Sequence, residues 1–165
     1  MKLKKYKRWL VKLDAATGEK IWEITMPSGG LFGDRSGYES VEFTSDGGFI
    51  AGGFANRFGN MPQFKSGGAV DDGRPIFEKF SPEIAQATAD FTTAPTPTWS
   101  YVCGKASNGS VNCDKNRGSS IPSMQVFMDG GVEKVVSILA GSRIIVVDAS
   151  TGQSHSTLKK PDIFL

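Results

Sequence analysis

A chain of 165 residues, 39% hydrophobic and 22% charged, has the size and make-up of one globular domain with its own core, which excludes a disordered or low-complexity segment. No apolar run approaches the 18 or more residues of a membrane-spanning helix, so no membrane span is expected, and a net charge of +2 selects no class of partner. Twenty glycines without sustained helical periodicity point to a turn-dense, all-β chain.

In chain order, the first feature is a basic N-terminal arm over residues 1–8, carrying Lys2, Lys4, Lys5, Lys7 and Arg8. Such an arm could touch nucleic acid or anionic lipid. With no basic face or interleaved aromatics elsewhere, the favoured reading is a solvated, frayed end and no nucleic-acid partner. There is no secretory apolar region either, because the basic residues lead straight into a strand.

That strand is Trp9-Leu10-Val11, followed by Leu13-Asp14-Ala15-Ala16-Thr17-Gly18 and a return through Ile21-Trp22. Asp14 can bond its own backbone two residues on, Gly18 can take the positive φ of a tight turn, and Trp22 can anchor the returning strand on a neighbouring sheet. A second hairpin alternates over 38–44, turns at Ser45-Asp46-Gly47-Gly48 and returns over 49–54. Residues 55–75 then interrupt the rhythm. Arg57, Phe58, Met61 and Phe64 within them would make an apolar and aromatic contact patch if exposed, or would fold back over an open sheet edge. Both uses stay open.

The midpoint between Asp14 and Asp148 falls on Ser81, where Ile76-Phe77-Glu78-Lys79-Phe80-Ser81-Pro82 repeats the apolar pattern of the first strand. Its returning strand would carry Trp99, after an arm longer than the Thr-Gly turn. Within that arm, residues 81–89 predict a helix of at most two turns, with Ser81 as cap, Pro82 first and Glu83 in the first turn. A second insert spans 100–122. There Cys103 and Cys113 bracket a Gly-, Ser- and Asn-rich loop, and a disulfide between them would stabilise by about 3 kcal/mol. Asn108-Gly109-Ser110 at its tip is a glycosylation sequon. Together they indicate an extracellular or otherwise oxidising compartment. A zinc site would need four ligands, and only His155 could join the two sulfurs.

A hairpin over 124–139 turns at Asp129-Gly130-Gly131. Then Ile144-Ile145-Val146 leads into Val147-Asp148-Ala149-Ser150-Thr151-Gly152-Gln153, a near copy of the first turn. The recurrence predicts one repeat domain over 1–165, built of tandem four-stranded antiparallel sheets in units of about 9–54, 76–139 and 142–160. A chain that opens and closes within a unit reads as a segment of a longer protein.

Residues 9–22 and 43–53, together with 144–152, resemble the quinoprotein-type (PQQ-like) β-propeller repeat. The resemblance implies an incomplete, open β-propeller with loop insertions, because the spacing exceeds the roughly 40–45 residues of an ordinary blade and the units fall short of the 4–8 blades that close a ring. In the dehydrogenases of that family the quinone lies over calcium at the centre of a complete propeller, served by adjacent cysteines, a Glu, an Asn and an Asp. Cys103 and Cys113 are not adjacent, and no residue here takes over that site. No cofactor, metal or catalytic residue is therefore expected, and the chain is read as non-enzymatic.

Other residues have plainer readings. His155 has Ser154 and Asp148 close in sequence, but these sit on the strand and turn of the repeat, so it reads as an exposed or edge-strand residue, equivalent to about Ile21. Asp71, Asp72 and Asp46 lack the alternating oxygen ligands of a calcium loop. The Gly-rich pieces at 29–33 and 67–68 match no phosphate loop. The expected function is a binding or scaffold module that presents loops to a protein or glycan partner within a larger exported protein. Its structural neighbours would be the remaining blades of a parent propeller, or a second copy joined through an open sheet edge. The competing reading is part of a quinoprotein-like oxidoreductase whose active centre lies outside the chain.

Overall fold

The computed structural model describes residues 7–27, 35–56, 73–102, 123–139 and 143–159. Along them run β1 (Trp9–Leu13), β2 (Lys20–Thr25), β3 (Arg35–Phe43), β4 (Phe49–Asn56), β5 (Gly73–Phe80), α1 (Pro82–Gln86), β6 (Trp99–Val102), β7 (Gln125–Asp129), β8 (Val132–Leu139), β9 (Arg143–Asp148) and β10 (Ser154–Lys159). Every ladder is antiparallel. The strands form a two-stranded sheet, β1-β2, and two four-stranded sheets, β3-β4-β5-β6 and β7-β8-β9-β10, none of them closed into a barrel. The fold is all-β and open, with tandem four-stranded sheets as expected.

The phase of the grouping differs from the expected one. Units of about 9–54, 76–139 and 142–160 would join β1-β2 to β3-β4, whereas β3-β4 joins forward to β5-β6 and β7-β8 to β9-β10. The reason lies in burial. Residues 49–53 of β4 and 75–80 of β5 are buried on both faces, and they pair from Phe49↔Phe80 to Asn56↔Gly73 without a register break. Strands buried on both sides belong at the centre of a sheet. The grouping that puts them there leaves β1-β2 as a hairpin of its own.

The three sheets stack, and the middle one supplies residues to both cores. On one side Ile50, Phe77 and Tyr101 pack with Met124, Val135, Ile145, Val147 and Ala149 of the third sheet. On the other, Phe49, Ala51 and Phe80 pack with Leu10, Trp22, Ile24 and Met26 of the first. The alternation Phe49, Ile50, Ala51 between the cores is the two-residue period of a strand. The helix lies in the arm between β5 and β6 and adds Ile84 to the first core. Ser81 caps it with its carbonyl, which accepts from Ile84 and Ala85 at 3.1 and 3.2 Å, and makes no side-chain cap.

Candidate functional site

The repeated turns are built alike, and their polar groups serve the turns themselves. Asp14 Oδ1 accepts from the amides of Ala16 and Thr17 at 2.9 and 2.8 Å, and Thr17 Oγ1 accepts from Glu19 N at 3.2 Å. Asp148 Oδ1 accepts from the amides of Ser150 and Thr151 at 2.8 and 3.0 Å, and Thr151 Oγ1 accepts from Gln153 N at 3.2 Å. Gly18 and Gly152 close the turns at φ +74 and +70. The amide of Thr17 above all holds the Asp14 carboxyl below its usual range, and the Ser150 hydroxyl does so for Asp148. In the Asp129 turn, Gly130 and Gly131 both take positive φ, as a two-residue hairpin loop requires. Gly47 does so at φ +85 beside Asp46.

The hairpin registers settle which residues are equivalent. Lys12 faces Trp22, Lys79 faces Trp99, and Val146 faces His155. His155 thus stands at the position of Trp22 and Trp99, one place from the expected match with Ile21. The first hairpin carries a register shift between Lys12 and Leu13 that leaves Ile21 without a counterpart in the third copy. Trp22 is buried against Phe49 and Phe91. Trp99 reaches across to the third sheet, where its indole N–H donates to the Ala149 carbonyl at 3.2 Å. His155 is exposed.

Two charge clusters built on buried side chains, Arg8 with Glu78 and Lys79, were not foreseen. Arg8 is only 2% exposed and donates to Glu78, itself 1% exposed, and to the Pro27 carbonyl at 3.2 Å. Glu78 also accepts from the Tyr38 hydroxyl and, at 2.9 Å, from Ser100 Oγ. Burial foremost, with the Glu78 carboxylate, pushes the Tyr38 phenol well above its ordinary value. The basic arm therefore ends in a buried ion pair: Lys7 is exposed, Arg8 is not, and Lys2, Lys4 and Lys5 lie outside the described residues. In the second cluster the buried Lys79 ammonium donates to Thr44 Oγ1 and, at 2.8 Å, to Asp46 Oδ1. Burial raises the Asp46 carboxyl, and Lys79, Thr44 and the Gly48 amide outweigh it, bringing the group down to about 2. The sequence signal was Glu78-Lys79 set inside an otherwise apolar run.

In both clusters the opposite charges are paired within the chain. Among the described residues no group of three or more His, Cys, Asp or Glu could hold a metal ion, and no helix is long and apolar enough to cross a membrane.

The strands that lead into the two inserts end together at one end of the middle sheet. Arg35, Asn56 and Gly73 stand in register across β3, β4 and β5, and Val102 of β6 pairs with Ile76 near the same end. Both inserts, 55–75 and 100–122, therefore leave the middle sheet on one side. The Asp46 turn and the helical arm occupy the other. Arg57, Phe58, Met61 and Phe64, as well as Cys103, Asn108 and Cys113, lie outside the described residues, as do Asp71, Asp72 and the Gly-rich pieces at 29–33 and 67–68.

Compared with known proteins, the chain matches no family model and no curated protein.

Proposed function

We propose that the chain is a non-catalytic binding and scaffold module of the PQQ-like propeller type, part of a larger exported protein, that presents its inserts to a protein or glycan partner. One observation carries the reading: both inserts leave the middle sheet at one end, on strands whose registers pair without a break from β4 to β5 and from β5 to β6. Loops held side by side on a rigid sheet are the common design of a recognition surface. The buried Arg8–Glu78 pair and the Lys79–Asp46 pair support it, because they tie the sheet to its neighbours and its turns.

The test is a binding screen of the full chain against a glycan array and a displayed-peptide library. A Phe58→Ser, Phe64→Ser double variant is the control. The reading expects at least one selected ligand, bound ten or more times more weakly by the variant at an unchanged melting temperature. A melting temperature raised by added PQQ and calcium overturns it in favour of a quinoprotein-like oxidoreductase. The disulfide on which the export reading leans is checked separately by the mass of the alkylated chain, which shows Cys103 and Cys113 joined or free.

A further inference from the structure

The two outermost faces of the stack belong to the first and third sheets, each of which packs its other face on the middle sheet. Within the chain, Ile145 and Val147 of β9 pack on Phe77 and Tyr101 of the middle sheet, and both are 0% exposed. Beside them the ring of Trp99 lies on the third copy's turn, so close that a Cβ on Gly152 would meet it at 2.6 Å. The equivalent positions of β1 are Val11 and Leu13. They are 37% and 52% exposed, with Trp9 beside them at 53%. The equivalent of Gly152 is Gly18, where a Cβ meets nothing within 4 Å. The first sheet thus has the seat that a preceding sheet would fill, and among the described residues no sheet covers it.

The opposite half stands at the other end. Ile144 and Val146 of β9 hold the positions of Phe77 and Lys79, which face the third sheet from the middle one. Ile138, paired with Ile144, is 63% exposed, and His155 takes the place of Trp99. One chain therefore carries both unmatched halves of a contact that it already makes internally.

We propose that the chain stacks head to tail on a second copy of itself. The outer face of the β7-β8-β9-β10 sheet of one copy covers Trp9, Val11 and Leu13 of the next, with the His155 imidazole over the Gly18 ledge. The second copy is the occupant the structure favours because the new contact continues one already present, with β1-β2 in the place of β9-β10. Such a contact is heterologous, so it propagates into an open array or closes a ring. It rests on the stacked sheets alone and is independent of what the inserts bind; in a longer propeller the adjoining blades would take these same two faces, and a wild-type chain that stays monomeric would point to them as the occupants.

Sedimentation of the full chain tests it. The wild type should sediment above its monomer mass of 17.7 kDa, with an average mass that rises with concentration. Leu13→Asp blocks one face and Ile138→Asp the other, so each variant alone should remain a monomer. Mixed in equal amounts they should form a heterodimer of twice that mass and grow no further, because each retains the face the other has lost. His155→Trp should tighten assembly roughly two- to tenfold, the worth of an added aromatic contact. Both charged substitutions fall on exposed side chains; Leu13→Asn and Ile138→Thr repeat the test should either unfold, as far-UV circular dichroism would report. A wild type that stays monomeric at every concentration, a single-face variant that still assembles, or a mixture without heterodimer overturns the proposal.

Discussion

Gly18 and Gly152 hold the same place in the same turn, at φ +74 and +70, yet only Gly152 has an aromatic ring against it. An alanine at either position meets the strain of the left-handed region, about 1–2 kcal/mol. At Gly152 it must also displace Trp99, and forced overpacking adds about 1–3 kcal/mol. Urea denaturation should therefore find Gly152→Ala the more destabilising by that second amount. Equal losses would mean that the indole does not bear on the turn.

Asp46 is one residue whose charge bears on stability against pH. Its carboxyl is lowered from 3.8 to about 2 in the folded chain, so its stabilising effect is complete above the unfolded value and disappears as pH falls through the folded one. The Asp46 side chain is 53% exposed, so solvent screens the pair with Lys79 and the effect is modest, about 1 kcal/mol. Denaturation of the wild type and Asp46→Asn should differ by that much at pH 5 to 7. The difference should shrink as pH drops from about 4 through about 2; a gap that is as large at pH 2 as at pH 5 would remove the carboxylate from the explanation.

Among the elements, what was legible in the sequence was local. Each hairpin announces itself through Asp and Gly at its turn, because that chemistry closes within a few residues. The short helix was legible for the same reason, with Pro82 and Glu83 in its first turn. What escaped was decided over distance. Alternating hairpins can be joined in either phase, and only burial of β4 and β5 on both faces selects the phase observed. Arg8 reads as the last charge of an arm until Glu78, 70 positions on, is brought against it. The arm between β5 and β6 reads as a lengthened turn. In the structure it roofs the first core: Phe91 packs edge-on to Trp22 at 5.9 Å, and Asp90 accepts from the Glu23 amide at 2.9 Å. That bond occupies a backbone donor of β2, a strand that pairs with β1 alone among the described residues, and so blunts an edge. The inserts named as recognition loops fall almost wholly outside the described residues, so of the candidate site the structure adds the end from which they leave.

For the molecule as a whole, three sheets in a row with two separate cores make a short one-dimensional array. The outer sheets each pack on the middle one through their own core, and the middle sheet belongs to both. In such an array the loss of one contact weakens the adjoining sheets and is felt little beyond them. Ile24 and Ile145 are matched probes, 1% and 0% exposed, one in each core and each on an outer sheet. Truncation of either to alanine removes about 2–5 kcal/mol of packing. Native-state hydrogen exchange should show Ile24→Ala accelerating the amides of β1 and β2 while those of Val135 and Val147 keep their protection. Ile145→Ala should do the reverse. If either substitution instead lowers protection evenly across all three sheets, the cores melt as one unit, and the middle sheet transmits the loss from one face to the other through β4 and β5.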